Sequence, residues 1–226
     1  MDGTSRASAE FRFKRVIGEI CDLNWSGLDE AGVIDSAWAY YFFSVQFQEN
    51  LEVARALYPD DLKLQDLERE ESNTDNLSPW PGVAADGEKM NHHEFMRRVL
   101  ALAPIDPGKR ARFEEMGAYY LRSVRYMDQQ IRALSIASYE DGGLERVFGA
   151  MLKSPPAGNP VVEGFRYFLF AHIQFDSDPN QGHGALTRHL RPDDRILPLW
   201  TAFRDLLTGF VPALAVPAAP RHSRVA

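Results

Sequence analysis

His172 is the most informative residue of this 226-residue chain, because its spacing places it on an apolar helix face. It follows the i, i+3, i+4, i+7 pattern set by Phe165, Phe168 and Leu169. Asp176 comes four residues later and shares the same face. A buried imidazole and a buried carboxylate each cost free energy unless they are paired or bound to a metal ion. The segment therefore predicts either a structural His–Asp pair or part of a metal site.

His183 lies seven residues after Asp176. On a straight helix seven residues rise about 10.5 Å, which is too far for both side chains to reach one metal cluster. Pro179 interrupts a helix and Gly182 permits a tight reversal, so the chain can return His183 toward Asp176. Two alternatives stay open: an exposed loop histidine at 183, and Asp178 in place of Asp176.

Glu71 is the first acidic candidate. Leu64, Leu67 and Glu71 are spaced i, i+3, i+7, so this acid falls on a buried stripe. Glu70 lies about 100° further round the helix and is expected to face water. Glu88 is a second possible source of the acid, and an exposed acid at a helix end is the alternative for Glu71.

Two more candidates lie near the middle of the chain. Glu140 follows seven uncharged residues, 133–139, which place its helix face inside the protein. An acid at a helix terminus is the alternative for it. His92 shares a face with three apolar residues: Phe95, Met96 and Val99. His93 lies beside Arg97 on a more exposed face, so we select His92 and keep His93 as the alternative.

These residues form a mixed set of imidazole and carboxylate donors. Helical bundles build two-metal carboxylate sites from ligands on facing helices. The single cysteine, Cys21, leaves no thiolate cluster, and the donor set suits iron or manganese and also accepts zinc. Three carboxylates offset most of the charge of two divalent ions, whereas without metal they would repel each other. The predicted ligands are Glu71, His92, Glu140, His172, Asp176 and His183.

Helical periodicity predominates along the chain, and strand signals are weak. With 45% hydrophobic and 12% aromatic residues, a sizeable core is expected. The pattern predicts an all-α bundle of seven to eight helices, with a long polar loop at 72–90. We expect one domain, 1–211, and a flexible Pro/Ala-rich tail, 212–226. The predicted helices are 9–20, 36–57 with Ser36 as N-cap, 59–71, 91–103, 108–140, 144–153, 160–176, 184–190 and a last one containing Trp200 and Phe210.

The net charge is −7, from 25 basic and 32 acidic residues. An acidic chain argues against nucleic acid and anionic membrane surfaces as partners. The first residues lack the apolar segment of a secretory signal, and no apolar run reaches about 18 residues. We therefore expect a cytoplasmic protein that acts on a small molecule.

The order of the candidate ligands resembles the ligand pattern of the heme-oxygenase-like diiron oxidases. The matching segments are, in chain order, Leu67–Glu71, His92–Phe95, Glu140, His172-x-x-x-Asp176 and His183. The resemblance covers roughly residues 36–210. It implies a seven-helix heme-oxygenase-like bundle with two non-heme Fe(II)/Fe(III) ions and O₂ as co-substrate. It further implies N-oxygenation, desaturation or C–C cleavage of an amino-acid-like or fatty-acid-like substrate, and a homodimer is common among such bundles. An external electron donor is kept as a candidate partner. The gaps from Glu71 to His92 and from Asp176 to His183 are longer than the family pattern.

Other functions remain open at this point. A metal-free cofactor-biosynthesis or interaction protein of the same fold would use buried polar residues only to fix helix register. A thiaminase-like relative would need a nucleophilic cysteine, and Cys21 is better explained as a small buried residue. Heme binding requires an axial histidine in the first helix, and 9–56 contains none. Candidate pocket residues are Tyr40, Tyr41, Phe42, Phe43 and Phe47, with Arg132 and Arg166 as candidate partners of a substrate carboxylate.

Overall fold

The computed structural model describes residues 11–176, 186–187 and 189–216, without the side chains of Phe175 and Asp176. Within these ranges the chain is helical, with two isolated β-bridges and no β-strand, which confirms the predicted all-α bundle. None of the described helices combines the length and the apolar character needed to cross a membrane. The α-helices are α1 Arg12–Cys21, α2 Glu30–Leu57, α3 Leu62–Ser72, α4 His92–Leu100, α5 Pro107–Arg125, α6 Gln129–Ser138, α7 Leu144–Met151, α8 Pro160–Asp176 and α9 Leu197–Phe210.

Helix α2 is the central element of the bundle and packs against α3, α4, α5, α6, α8 and α9. It begins at Glu30, six residues before the predicted start, because the Asp29 side chain accepts a hydrogen bond from the Gly32 amide at 2.8 Å. The predicted cap, Ser36, lies inside the helix and donates its hydroxyl to the Gly32 carbonyl. The aromatic residues of α2 are therefore held on a helix that other helices cover on several sides.

The prediction of one continuous helix at 108–140 is wrong, because the structure has two helices there, α5 and α6. Asp128 caps α6 by accepting hydrogen bonds from the amides of Gln130 and Ile131. After α6 a five-residue π-helical turn, Tyr139–Gly143, leads into α7. Its Gly142 has φ +82°, a left-handed conformation that favours glycine. The apolar spacing continues across the break at Asp128, which is why periodicity did not predict it, whereas the break at Gly142 and Gly143 agrees with the predicted helix end near 140.

Stacked aromatic rings fill the space between α2, α5 and α9. Phe43 is fully buried, and its ring centroid lies 4.0 Å from that of Phe203. Phe113 stacks on Phe210 at 4.5 Å. Burial of one such ring contributes about 2–3 kcal/mol to folding. Trp200 adds a polar tie, because its indole N–H donates to the Ser138 hydroxyl at 3.0 Å. This core fixes the end of α6, from which the π turn departs.

The segment 73–91 connects α3 to α4 and lies against the bundle. Thr74 pairs with Met90 at its base, and the backbones of Trp80 and Ala84 form a second bridge. The Trp80 ring stacks on Tyr167 of α8 with centroids 4.4 Å apart and planes at 15°. The long loop that the sequence predicted is thus anchored on α8.

The fold continues beyond residue 211. Pro212–Ala215 forms a 3₁₀ turn, and Leu214 is buried. The Leu214 carbonyl accepts a hydrogen bond from the Asn24 amide at 3.0 Å. The first residues of the segment predicted as a tail therefore pack against the chain after α1, and 217–226 lie outside the described residues.

Candidate metal centre

Four of the six predicted ligands line one cavity inside the bundle. Glu71 comes from α3, His92 from α4, Glu140 from the π turn and His172 from α8. All four are buried, with relative exposures between 4% and 8%. His183 and the side chain of Asp176 lie outside the described residues.

Three ring and carboxylate atoms meet at the centre of this cavity. The Nδ1 of His92 lies 2.5 Å from the Oε2 of Glu71. The Nε2 of His172 lies 3.2 Å from the same His92 nitrogen. Three side chains from three different helices are therefore in direct contact through their polar atoms.

The outer nitrogen of each ring faces a further acceptor. The Nδ1–H of His172 donates to the backbone carbonyl of Phe168 at 2.8 Å. The Nε2 of His92 lies 3.4 Å from the side-chain oxygen of Asn76, which accepts a hydrogen bond when that nitrogen carries the proton. A neutral imidazole that donates through one nitrogen has only a lone pair at the other. In neutral rings, both inner nitrogens are then acceptors.

With the proton on the outer nitrogen of each ring, two imidazole lone pairs and a carboxylate oxygen thus face each other. Acceptors in contact repel unless a proton or a cation lies among them. Outer hydrogen bonds of this kind are also what orients histidines that bind metals. The chemistry of this donor set fits a metal ion.

The distances between these ligand atoms agree only in part with those around a bound metal ion. Two nitrogen or oxygen ligands bound at about 2.0–2.2 Å to one ion stand about 3 Å apart. The 3.2 Å between the Nδ1 of His92 and the Nε2 of His172 matches this value. The 2.5 Å between the Oε2 of Glu71 and the Nδ1 of His92 is too short for two ligands of one ion. In keeping with this, no group of three or more such side chains among the described residues is arranged to hold an ion as it stands. The Glu71 carboxylate must turn away from His92 for an ion to enter.

The free volume of the cavity is about 20 Å³. A water molecule needs about 10–15 Å³ of such volume, so the free space as it stands admits one ion or water molecule and no organic substrate. A second ion requires the side chains of the wall to move apart. Any substrate must approach from the edge of this cavity or displace side chains in its wall.

Aromatic rings surround the two histidines. The Phe168 ring lies over His172 with centroids 4.1 Å apart, and Phe148 meets the same imidazole edge-on at 5.9 Å. Two of the predicted pocket aromatics, Tyr40 and Phe47, also line the cavity. The other three, Tyr41, Phe42 and Phe43, pack elsewhere in the bundle. An apolar wall lowers the local dielectric and limits access of water to a bound ion.

Local sequence features position these side chains. His92 is the first residue of α4, whose N-cap Asn91 accepts a hydrogen bond from the Glu94 amide at 2.8 Å. Glu71 lies in the last turn of α3, which is tied to α2 where Gln48 donates to the Ser72 hydroxyl at 3.0 Å. Helix α8 presents His172 between its own aromatic residues.

The alternatives among neighbouring residues differ in their position relative to the cavity. Glu88 accepts hydrogen bonds from the Ala85 amide and from Arg98, which lower its pKa, and it does not line the cavity. Glu71, and not Glu70, lines the cavity. His93 lines it as well, and burial lowers the pKa of its imidazole. It is His92, however, that contacts both Glu71 and His172.

The two candidate arginines do not line this cavity. Arg132 is buried and donates to the Asn50 side chain at 2.8 Å. Arg166 donates to the backbone carbonyls of Leu152 and Ser154 and so closes the end of α7. Both arginines therefore serve helix packing.

Sequence analysis did not single out Asn76, Phe148 or the carbonyl of Phe168 for this site. Asn76 lies in an irregular loop, where no periodicity indicates which way a side chain points. The apolar spacing around His172 did contain a signal for Phe168, since residues i and i+4 share a helix face.

Comparison with protein-family models, with curated proteins and with solved structures gives no match. No family is therefore established for the chain by similarity. A functional assignment depends on the donor atoms that meet at Glu71, His92 and His172.

Proposed function

We propose that this protein is an O₂-dependent non-heme diiron oxidase or oxygenase that acts on a small metabolite. The observation that supports the proposal is the meeting of three acceptor atoms, from Glu71, His92 and His172, in one buried cavity. The sequence resemblance extends it to an amino-acid-like or fatty-acid-like substrate and to N-oxygenation, desaturation or C–C cleavage.

The residues that would hold the metal are Glu71, His92, Glu140 and His172, with Asp176 and His183 as the remaining ligands predicted from the sequence. Histidine nitrogens and carboxylate oxygens without thiolate suit iron or manganese. Bound ferrous iron supplies the activation of O₂ for oxidation of the substrate.

The protein's own groups prepare this site. The Phe168 carbonyl and the Asn76 side chain hold the outer nitrogens of the two histidines, so the inner lone pairs point into the cavity. Phe148 and Phe168 keep bulk water from the histidines. The Glu71 carboxylate supplies negative charge that a cation in the cavity neutralises.

A purely structural role is the competing explanation. A protonated His92 would donate to Glu71 and tie α3 to α4 as a buried ion pair. One proton on the Nδ1 of His92 then lies between two acceptors, the Oε2 of Glu71 at 2.5 Å and the Nε2 of His172 at 3.2 Å from that nitrogen. A metal ion satisfies all three atoms, and this favours the metal site.

The test is anaerobic loading of the purified protein with Fe(II), followed by removal of excess iron. We expect about two iron ions per chain, the usual content of a two-metal carboxylate site. Mixing with O₂ should then produce an absorption transient in a stopped-flow experiment. Protein that retains no iron and gives no O₂-dependent transient would exclude the proposed function.

A further inference from the structure

A second and much larger cleft lies on the outer side of the π turn. It has a volume of about 700 Å³, within the range of about 300–1,000 Å³ typical of small-molecule sites. Helix α1, the π turn, the start of α7 and residues 190–193 form its walls. Asp141, Gly142 and Gly143 of the turn face this cleft, whereas Glu140 of the same turn lines the metal cavity.

Three cationic side chains line this cleft: Lys14, Arg146 and Arg191. None of the three forms a hydrogen bond or an ion pair through its side chain within the described part of the chain. Most arginines of the protein instead have a hydrogen-bond or ion-pair partner, as in the pairs Arg125–Glu49 and Arg204–Glu19. Cations without partners in an otherwise acidic protein provide a local positive potential for an anion.

The acidic residues of the cleft do not cancel this charge. Asp193 is engaged by the Arg195 guanidinium at 2.9 Å, outside the cleft wall. Asp141 contributes one negative charge. Three positive charges therefore stand against one carboxylate that Arg195 does not neutralise.

Apolar groups supply the rest of the wall. Phe11, Leu190 and Pro192 line the cleft, and Phe11 is 45% exposed. A ligand that matches both features has an anionic group and an apolar body. Simple inorganic anions would leave the apolar wall in contact with water, and a neutral apolar molecule would leave the cations without a partner.

We propose that this cleft binds an organic carboxylate with an apolar body, its carboxylate at Arg146 and Arg191. This proposal does not rest on the metal site, because the cleft and the metal cavity are lined by different residues. A ligand here contacts the turn directly after Glu140, so the cleft lies next to the site of the proposed oxidation.

The test is calorimetric titration of the full-length protein with 2-naphthoate at low ionic strength, before and after treatment with EDTA. We expect saturable binding in both preparations, because the cations and not a metal hold the carboxylate. The neutral analogue 2-naphthamide should bind at least about ten-fold more weakly, since a hydrogen bond between charged groups contributes about 1.5–3 kcal/mol. Added salt should weaken the binding of 2-naphthoate by screening.

The variant for this experiment is Arg146→Gln/Arg191→Gln, and its control is Arg122→Gln. Arg122 is also exposed and lacks a side-chain partner among the described residues, but it lines a different groove, near Tyr119. The double variant should bind 2-naphthoate at least about ten-fold more weakly and Arg122→Gln within about two-fold of the wild type. Circular dichroism checks that all proteins are folded.

Three results would overturn the proposal. Equal binding of 2-naphthoate and 2-naphthamide would show that only the apolar wall contributes. Unchanged affinity in the double variant, or an equal loss in Arg122→Gln, would place the binding elsewhere. Loss of binding after EDTA would place the carboxylate on a metal ion instead.

Discussion

The Nε2 of His172 lies 3.2 Å from the Nδ1 of His92, although the two residues are 80 positions apart in the chain. Helices α4 and α8 bring the rings together, and each ring is held at its outer nitrogen by an acceptor that belongs to the protein. When each ring carries its proton at the outer nitrogen, both lone pairs point inward, and this pair of histidines is then the part of the site most directly suited to a cation.

We expect His172→Ala to lose iron and O₂ reactivity while it keeps its helical circular-dichroism signal. The substitution removes an inward nitrogen from the interior of α8, and alanine has a high helix propensity. Iron content after anaerobic loading measures the effect, and His189→Ala is the control because His189 pairs with Asp61 at the surface. Wild-type iron content and reactivity in His172→Ala would remove His172 from the site.

Asn76→Ala should weaken metal affinity by about 10–100-fold, the usual cost of removing an outer hydrogen bond to a histidine ligand. The Asn76 oxygen faces the Nε2 of His92 and fixes the orientation of its ring. Competition with a chromophoric chelator measures the affinity. Asn73→Ala, at another exposed asparagine of the same loop, is the matched control. Equal affinities of the two variants would contradict a positioning role for Asn76.

Gly143→Ala should lower the free energy of unfolding by at least about 1–3 kcal/mol. Gly149→Ala should leave it unchanged or raise it by up to about 1 kcal/mol. A Cβ at Gly143 would lie 2.0 Å from the Ser138 carbonyl oxygen, a backbone atom that cannot move aside. A Cβ at Gly149 meets nothing within 4 Å. Urea unfolding of the two variants measures the difference. If Gly143→Ala is as stable as Gly149→Ala, the turn that carries Glu140 is not constrained as described.

The hydrogen bond between Asp61 and His189 should make stability depend on pH. Burial raises the pKa of Asp61, but its hydrogen bonds to His189 and to the Leu64 amide outweigh this effect, so the pKa lies below its ordinary value of 3.8. A lowered pKa contributes stability that is present above pH 3.8 and is lost as the pH falls through the folded-state pKa. The stability difference between wild type and Asp61→Asn should therefore be larger at pH 6 than at pH 3.

A double-mutant cycle identifies the source of this effect. In a His189→Ala background, the effect of Asp61→Asn at pH 6 should shrink, because the histidine that lowers the pKa is gone. Asparagine retains the capping of the Lys63 and Leu64 amides, so the cycle isolates the charge. An Asp61→Asn effect that is equal in both backgrounds would show that His189 is not the partner that matters.

Much of the candidate site was predictable from local spacing. Glu71, His92 and His172 were selected because each follows an apolar helical stripe, and each is buried in the structure. Helical periodicity is a local property, so burial of a face can be inferred from neighbours within two turns. The same reasoning failed at Asp128, where a capping side chain ends one helix and starts the next without changing the apolar pattern.

By itself the sequence determined the all-α class, the absence of a thiolate cluster and the burial of Glu71, His92, Glu140 and His172, because these follow from composition and from the geometry of a single helix. Only the tertiary structure decided that His92 contacts both Glu71 and His172, and that Asn76 reaches His92 from the long loop. It alone placed a cationic cleft behind the turn that carries Glu140. Such contacts join residues far apart in the chain, and they depend on how whole helices pack against α2, which no local pattern specifies.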